Sequence, residues 1–410
     1  MSFQQGLSGL NAAAKNLDVI GNNVANSNTI GFKGSQAQFA DVFANSLTGA
    51  TGSAVGIGTS LSAVRALFGQ GNINVSANPL DLAINGQGFF RLSSNGTATY
   101  SRSGQFLLDK DGYIVTANGA RLTGFAAGAS GTVVTASPTD LQISRSDIPP
   151  VATSSAAVNV SLDSRSTAMP AANFNLNDPS TYHSATSMSV FDSLGNPHTL
   201  SLYFLMTAAN TWSVFGANDG VQIGATATTP VGVLNFDSAG AIDTTTTTLP
   251  FNISTAVTTG AATPLAFTLD FSGSSQFGSS YGVNALTQDG STSGRLSGFA
   301  IGSDGIVLGR YTNGETRAQG QIVLGNFPNP QGLQPLGSSM WGETAQSGQA
   351  LIGGPGSGSL GVIQASALED SNVDLTGELV QMITAQRIYQ ANAQTIKTQD
   401  SVLQTLVNLR

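Results

Sequence analysis

The feature that most constrains this fold is the contrast between the two ends of the chain and everything between them. At the N-terminal end, apolar and small residues recur at steps of three and four, which places them on one stripe of a helix at heptad spacing. An Asn-rich stretch and Gly31 follow and favour local hydrogen bonds and left-handed backbone, so this helix should end between Val24 and Asn28. The stripe consists of Leu7, Leu10, Ala14, Leu17, Gly21 and Val24.

The C-terminal end predicts a second, longer helix. Residues 378–410 contain neither Gly nor Pro, and helices of this kind are marginal in water unless they pack against something. On spacing alone, two interpretations stay open. The stripes could form an ordinary antiparallel pair on a globular body, which is the usual meaning of amphipathic stripes, or stripes from many subunits could pack together. The second stripe consists of Leu379, Met382, Tyr389, Ala393, Ile396, Leu403 and Val407.

Between the helices, short alternating runs separated by turn residues predict β-strands. The runs at 80–84 and 89–92 are each followed by an Asn-Gly pair. Because type I′ turns need positive φ at two successive residues, Asn-Gly is a strong hairpin signal, and we expect hairpins at 85–86 and 95–96. Residues 109–112 (DKDG) begin like a calcium loop but lack its later ligands, so a tight turn between Leu108 and Tyr113 is the better interpretation.

The composition changes at residues 148–150 (IPP), after which Thr, Ser, Ala and Val dominate until about Ala285. This change predicts a mainly β fold with long terminal α-helices, in which two all-β domains are nested one inside the other. We expect a terminal helical domain at 1–33 and 368–410 and a connector at 34–75 and 350–367. The first β domain is then 76–147 and 286–349, and the inserted second β domain is 148–285.

Charge and chemistry exclude several classes of function. Only 9% of residues are charged, against about 25% in typical domains, and no Lys or Arg stands between Arg165 and Arg295. A nucleic acid or an anionic membrane would need clustered positive charge. No run approaches the ~18 apolar residues of a membrane span, so we expect no membrane insertion.

The residues for catalysis are scarce as well. The chain has no Cys and two His, and it lacks metal-ligand pairs, a P-loop and a nucleophile elbow. We therefore expect no enzyme activity, no cofactor and no metal site. The start of the chain has no charged leader followed by an apolar stretch, which predicts that any export occurs without a cleaved signal peptide.

Motifs at both ends and in the first β segments resemble those of the bacterial flagellar rod and hook proteins. The large insert and the ending at 406–410 (LVNLR) are similar to hook members of this family, whereas a distal rod protein would normally lack such an insert. The matching segments are 8–14 (SGLNAAA), 16–26 (NLDVIGNNVAN), 29–33 (TIGFK), 80–92 (LDLAINGQGFFRL), 100–106 (YSRSGQF), 367–375 (ALEDSNVDL), 379–380, 385–387, 389–390 and 392–400 (NAQTIKTQD).

The resemblance implies that both terminal helices form the coiled-coil inner tube of a helical polymer, with the β domains outside. A hook of this kind is a curved tube that acts as a universal joint and transmits torque from rod to filament. The subunit-interaction residues expected on this basis are Leu7, Leu10, Leu17, Val24, Leu379, Met382, Tyr389, Ile396, Leu403 and Val407.

The same resemblance implies the partners and the location. The partners would be many copies of the chain itself, the distal rod protein, the hook cap protein, the hook–filament junction protein and the flagellar type III export apparatus. The location would be extracellular, in the flagellar hook attached to the basal body. Two alternatives remain: a distal rod protein, which would build a straight tube, and a secreted β-rich adhesin or enzyme, which would need a binding cleft.

Overall fold

The computed structural model describes residues 2–42, 56–128, 131–224, 226 and 228–408. The chain divides into two compact units. Unit 1 comprises Met1–Ser144, Gly298–Arg310 and Thr316–Arg410, and unit 2 comprises Arg145–Ser297 and Tyr311–Glu315. Most of the described secondary structure is β, with one helix near each end, as the sequence predicts. Part of the predicted connector, residues 43–55, lies outside the described residues.

The two helices are α1 (Ser2–Ala25) and α2 (Leu375–Asn408). The end of α1 falls in the predicted range. Helix α2 begins before the predicted residue 378, because Asp374 caps it: its Oδ1 accepts a hydrogen bond from the backbone N of Thr376 at 3.0 Å, and its carbonyl accepts from the backbone N of Glu378 at 2.9 Å. An Asp at the N-cap satisfies donors that the helix leaves unpaired.

The described residues in the first part of unit 1 form ten strands. They are β1 (Ser35–Val42), β2 (Gly58–Ala66), β3 (Ile73–Val75), β4 (Leu82–Asn85), β5 (Phe89–Ser94), β6 (Thr97–Ser101), β7 (Leu107–Leu108), β8 (Ile114–Val115), β9 (Arg121–Ala126) and β10 (Thr139–Asp140).

Ten further strands follow in the middle of the chain. They are β11 (Ser155–Asp163), β12 (Ser184–Phe191), β13 (Pro197–Ala208), β14 (Thr211–Asn218), β15 (Val221–Ile223), β16 (Gly232–Asn235), β17 (Phe251–Thr255), β18 (Leu265–Asp270), β19 (Ser275–Phe277) and β20 (Gly282–Gln288).

The last strands return the chain to unit 1. They are β21 (Leu296–Ile301), β22 (Ile306–Tyr311), β23 (Thr316–Ile322), β24 (Leu324–Asn326), β25 (Gln334–Gly337), β26 (Met340–Gly342), β27 (Leu351–Gly353), β28 (Val362–Ala365) and β29 (Ala367–Glu369).

The main sheet of unit 1 follows the order β21-β22-β23-β9-β5-β6-β26-β25, with shorter strands beside it. Two small pairs join chain segments from opposite ends of the sequence: β3 pairs with β29, and β4 pairs with β28, both antiparallel. Part of the core is aromatic, with Phe89, Tyr100, Phe327 and Trp341 buried together. Rings such as Tyr100 and Phe327, with centroids 4.7 Å apart and nearly perpendicular planes, meet edge to face.

Unit 2 has two five-stranded sheets. One has the order β17-β18-β11-β19 with β20 also on β11, and the other has the order β12-β13-β14-β15 with β16 also on β14. Their buried side chains form one cluster, because residues such as Val158, Leu202 and Leu269 are all fully covered and pack together. Strands β12 and β13 form an antiparallel hairpin in which Ser189 faces Thr199.

One of the two expected Asn-Gly hairpins is wrong. At Asn95-Gly96, with φ of 50° and 82°, β5 turns directly into β6 as predicted. At Asn85-Gly86, however, β4 pairs with β28, whereas β5 pairs with β6, β9 and β24. Gly86, at φ 115°, lies outside the range of a type I′ turn, and its amide donates to the Gln70 side chain at 3.1 Å. Pairing with a distant strand replaces the local hairpin here.

Candidate assembly surface

Helices α1 and α2 lie antiparallel against each other within the chain. Gly9 has no room for a methyl group, because a Cβ there would come within 2.8 Å of the Asn392 side chain. At the other end of the pair, Asn23 Nδ2 donates to Glu378 Oε1 at 2.9 Å. The residue numbers of the contact partners therefore increase along α1 and decrease along α2, as in an antiparallel pair. Small residues such as Gly9 let the two backbones approach closely.

The buried row of α1 is not the predicted stripe. The buried positions are Gly6, Ala13, Ile20 and Asn23, and each precedes a stripe residue by one. One residue corresponds to about 100° of rotation around a helix with 3.6 residues per turn. The Leu-rich stripe therefore lies, on average, about a quarter turn from the buried row, and all of its residues keep some exposed surface.

The predicted interaction residues keep much of their surface in the single chain. Tyr389, for example, is 38% exposed and Val407 is 75% exposed. Ile396 packs against α1 within the chain: a Cβ added at Gly6 would lie 3.1 Å from Cγ1 of Ile396. The exposed residues are Leu7, Leu379, Tyr389, Leu403 and Val407, and the partly buried ones are Leu10, Leu17, Val24, Met382 and Ile396.

Helix α2 also extends past the start of α1. Ile396 lies opposite Gly6, and α2 continues for a further twelve residues to Asn408, about 18 Å at 1.5 Å per residue. Helix α1 continues for only four residues beyond Gly6, to Ser2. We call residues 401–408 the α2 overhang. Its side chains Val402, Leu403 and Val407 are between 49% and 75% exposed.

A buried charged cluster joins these terminal segments to the β part of unit 1. Lys33 Nζ lies 2.6 Å from Glu369 Oε1, and Arg102 lies 3.2 Å from Glu369 Oε2. The Lys33 and Glu369 side chains have no exposed surface. The cluster is also bonded to the backbone: Gly71 N donates to Glu369 Oε1 at 2.9 Å, and Lys33 Nζ donates to the carbonyl of Gly69 at 2.8 Å.

One carboxylate in this cluster balances two cations. Burial lowers the pKa of Lys33 and that of Arg102, while the charge and hydrogen bond of Glu369 act in the opposite direction on both. The guanidinium of Arg102 also lies 5.3 Å from the ring centroid of Phe89, a cation–π contact that adds favourable electrostatics. Buried charges are costly unless paired, so Glu369 is the residue on which the cluster depends.

Gly31 is required beside this cluster. Its φ is +68°, and a Cβ would come within 2.4 Å of the backbone N of Ser103. Its amide donates to the Glu369 carbonyl at 2.8 Å. Lys33, Arg102 and Glu369 all lie in segments that resemble the flagellar family. Their spacing predicts no role for them, since residues so far apart in sequence give no local sign of meeting.

Among the described residues, no group of three or more His, Asp or Glu side chains could hold a metal ion. In the same part of the chain, no helix has the length and apolar character needed to cross a bilayer.

Four family models match the chain in succession. The model described as "Flagella basal body rod protein" matches residues 3–33, and "Flagellar hook protein FlgE/F/G D1 domain" matches 83–165. "Flagellar basal body protein FlaE D2 domain" matches 159–291, and "Flagellar basal body rod FlgEFG protein C-terminal" matches 364–409.

Flagellar hook proteins of several bacteria match this chain over its full length. The flagellar hook protein FlgE of Escherichia coli (strain K12) is 44% identical, with 100% of both chains covered. FlgE of Salmonella typhimurium is 43% identical with the same coverage, and FlgE of Brucella suis biovar 1 is 32% identical, covering 100% of this chain and 98% of the relative.

A solved structure supports the fold. The crystal structure of the Helicobacter pylori flagellar hook protein FlgE2 matches with a TM-score of 0.55 and 16% identity, covering 72% of this chain and 100% of that one. At this identity the likeness concerns the fold alone.

Proposed function

The chain belongs to the flagellar hook protein family, and from this membership we propose that it polymerises into a short curved tube that acts as a universal joint between rod and filament. As a member of this family it is a structural subunit of the bacterial flagellar hook and not an enzyme. The observation that carries the proposal is the uncovered apolar surface of the terminal helices.

The single chain buries Gly6, Ala13, Ile20 and Asn23 of α1 and leaves the Leu-rich stripe beside them partly open. In a polymer, neighbouring copies would cover this stripe, and burial of apolar surface contributes about 25 cal/mol per Å². Summed over many neighbours, this gain can offset the entropy of ordering both chain ends. The ten interaction residues expected from the sequence are therefore the contacts we assign to the tube.

We further assign the helices at 1–33 and 368–410 to a coiled-coil inner tube. The first β domain (76–147 and 286–349) and the inserted domain (148–285) would lie outside it, with 34–75 and 350–367 as connectors. The insert would set curvature and bending, whereas the helices would drive assembly.

The scarcity of charge fits a joint that bends as it turns. Few ion pairs would fix the orientation of neighbouring subunits, and neutral Ser, Thr and Asn side chains can exchange partners or bond through water. The distal rod, hook cap and hook–filament junction proteins would be its neighbours, and the type III apparatus would export it to the hook.

Electron microscopy of concentrated full-length protein, beside a chain trimmed to 72–365, tests the proposal. We expect curved tubes from the full-length chain and monomers from the trimmed one. Straight rigid tubes would favour the rod alternative. Tubes from the trimmed chain would contradict the role given to the helices.

A further inference from the structure

A groove in unit 1 lies at the end of the helix pair opposite the α2 overhang. Its volume is about 520 Å³, within the range of pockets that receive ligands. The apolar side chains that line it include Phe32, Val64, Phe68, Leu333, Met340 and Trp341, and eight of the seventeen lining residues are polar. Asn22 and Asn26, at the C-terminal end of α1, form part of its wall, so the groove continues the outer surface of that helix.

One lip of the groove is a preformed hairpin tip. Ser338 and Ser339, between β25 and β26, have φ of 53° and 55°, a left-handed conformation that is uncommon for residues other than Gly and costs energy. The Ser101 hydroxyl holds the tip by donating to the Ser339 carbonyl at 2.8 Å. A rigid lip loses little freedom when something binds, which favours recognition.

The overhang and the groove match in chemistry. Residues 401–408 contain no charged side chain, and three of their aliphatic side chains are exposed. The one charged residue in the groove lining, Lys33, is already bonded to Glu369 and to the Gly69 carbonyl. Both surfaces are therefore effectively neutral, and the exposed aliphatic side chains of the overhang can pack on the apolar part of the groove lining.

The overhang cannot fill the groove of its own chain, because the two lie at opposite ends of the helix pair. From Gly6 to Asn22, α1 rises sixteen residues, about 24 Å. Contact between two different surfaces of identical chains is head-to-tail, and when the rotation does not close into a ring it generates an open helical filament. A second copy is thus the occupant that the geometry favours.

We propose that the α2 overhang of one copy docks in the unit 1 groove of another copy, with Leu403 or its neighbours Val402 and Val407 against Val64. This contact rests on the proposed polymerisation and defines one of its joints. It differs from the lateral packing of the Leu-rich stripes, since it links the end of one helix pair that carries the α2 overhang to the opposite end of the next pair.

The absence of Cys from the chain allows a direct test. Val64→Cys and Leu403→Cys are made as separate variants, mixed with an excess of the unmodified chain so that tubes still form, and treated with a short bismaleimide. We expect covalent dimers when both variants are present and none when either is present alone. Val402→Cys and Val407→Cys sample the rest of the overhang.

Arg65→Cys is the matched control. Arg65 is exposed and follows Val64 in β2, but side chains of successive strand residues point to opposite faces. We expect it to give at least tenfold less dimer with Leu403→Cys. Tubes without dimers from any overhang position, or equal dimers from Arg65→Cys, would overturn the docking and leave the proposed function intact. Absence of tubes from the unmodified chain would overturn both.

Discussion

Lys33 and Glu369 are 336 positions apart in the sequence, and their side chains meet at 2.6 Å with no solvent exposure. The pair joins the segment that leaves α1 to the segment that leads into α2. Arg102, from the β part of unit 1, binds the other oxygen of the same carboxylate at 3.2 Å. Three regions that are remote in sequence are therefore tied to one another through a single side chain.

Glu369→Gln should destabilise unit 1 by about 3–5 kcal/mol, because it leaves two buried cations without their counter-charge. Denaturant unfolding measures this loss, and hydrogen exchange at residues 73–75 reports it locally. Asp18→Asn is the control: Lys15 and Asp18 are 3.2 Å apart, but both side chains are more than half exposed, so we expect less than about 1 kcal/mol. A similarly small effect from Glu369→Gln would contradict the structural role of the cluster.

His198 should make the stability of unit 2 depend on pH. Its ring lies 2.6 Å from Asp219 and 3.2 Å from Asp192, and its side chain is 5% exposed. Burial alone would lower the pKa of His198, but the hydrogen bonds and charges of the two carboxylates outweigh burial and raise it above 6.5. The folded pKa then exceeds the unfolded one, so the stabilisation is complete below about pH 6.5 and is lost as pH rises through the folded pKa.

We therefore expect the free energy of unfolding of unit 2 to fall as pH rises from about 6.5 through the folded pKa of His198. In His198→Gln this decline should disappear, while in His183→Gln it should remain. An NMR titration of the His198 ring gives the folded value directly, and a pKa at or below 6.5 would refute the assignment.

Gly21→Ala should stabilise the single chain and impair assembly. Nothing lies within 4 Å of a Cβ at this position, so the gain in helix propensity, about 0.8–1 kcal/mol, meets no clash in the monomer. Gly21 belongs to the Leu-rich stripe, where a neighbouring copy would meet the added methyl. Asn11→Ala, at an exposed position of the same helix, should raise helicity without changing polymerisation. Circular dichroism and sedimentation separate the two effects, and unchanged assembly of Gly21→Ala would exclude close packing at this residue.

Replacing residues 149–293 with a short Gly-rich turn should leave unit 1 folded and able to polymerise. Ile148 and Gly294 are paired in an antiparallel bridge, which brings the two cut ends together. We expect straight tubes or tubes of altered stiffness in electron micrographs, because the insert is assigned to curvature. Complete loss of polymerisation in a folded variant would show that assembly also needs the insert.

The sequence predicts the local elements of this fold well. Periodicity places the first helix, and the lack of Gly and Pro in 378–410 places the second. Asn95-Gly96 gives its hairpin because the turn geometry is set by those two residues. Asn85-Gly86 misleads because β28, far along the chain, offers β4 a better partner than β5 does. Local turn chemistry decides a hairpin only where no distant strand competes.

The assembly surface is only half predictable. The stripe containing Leu7 and Leu17 follows from spacing, but spacing does not reveal that the row one residue earlier, with Gly6 and Ala13, is the face that the single chain buries. Gly and Ala do not stand out in a hydrophobic pattern, so their role in packing becomes visible only when the partner helix is in place. The Glu369 cluster is beyond local prediction for a related reason, since its charges come from three distant segments.

The pairing of β3 with β29 has a mechanical consequence. Ile73 faces Glu369 and Val75 faces Ala367, so the chain passes into and out of the β part of unit 1 as a two-stranded ribbon beside the charged cluster. A single strand can swivel about its own bonds, whereas a hydrogen-bonded ribbon resists such rotation. Torque applied to the helix pair is thus transmitted to the sheet and is not lost through rotation of two separate single strands.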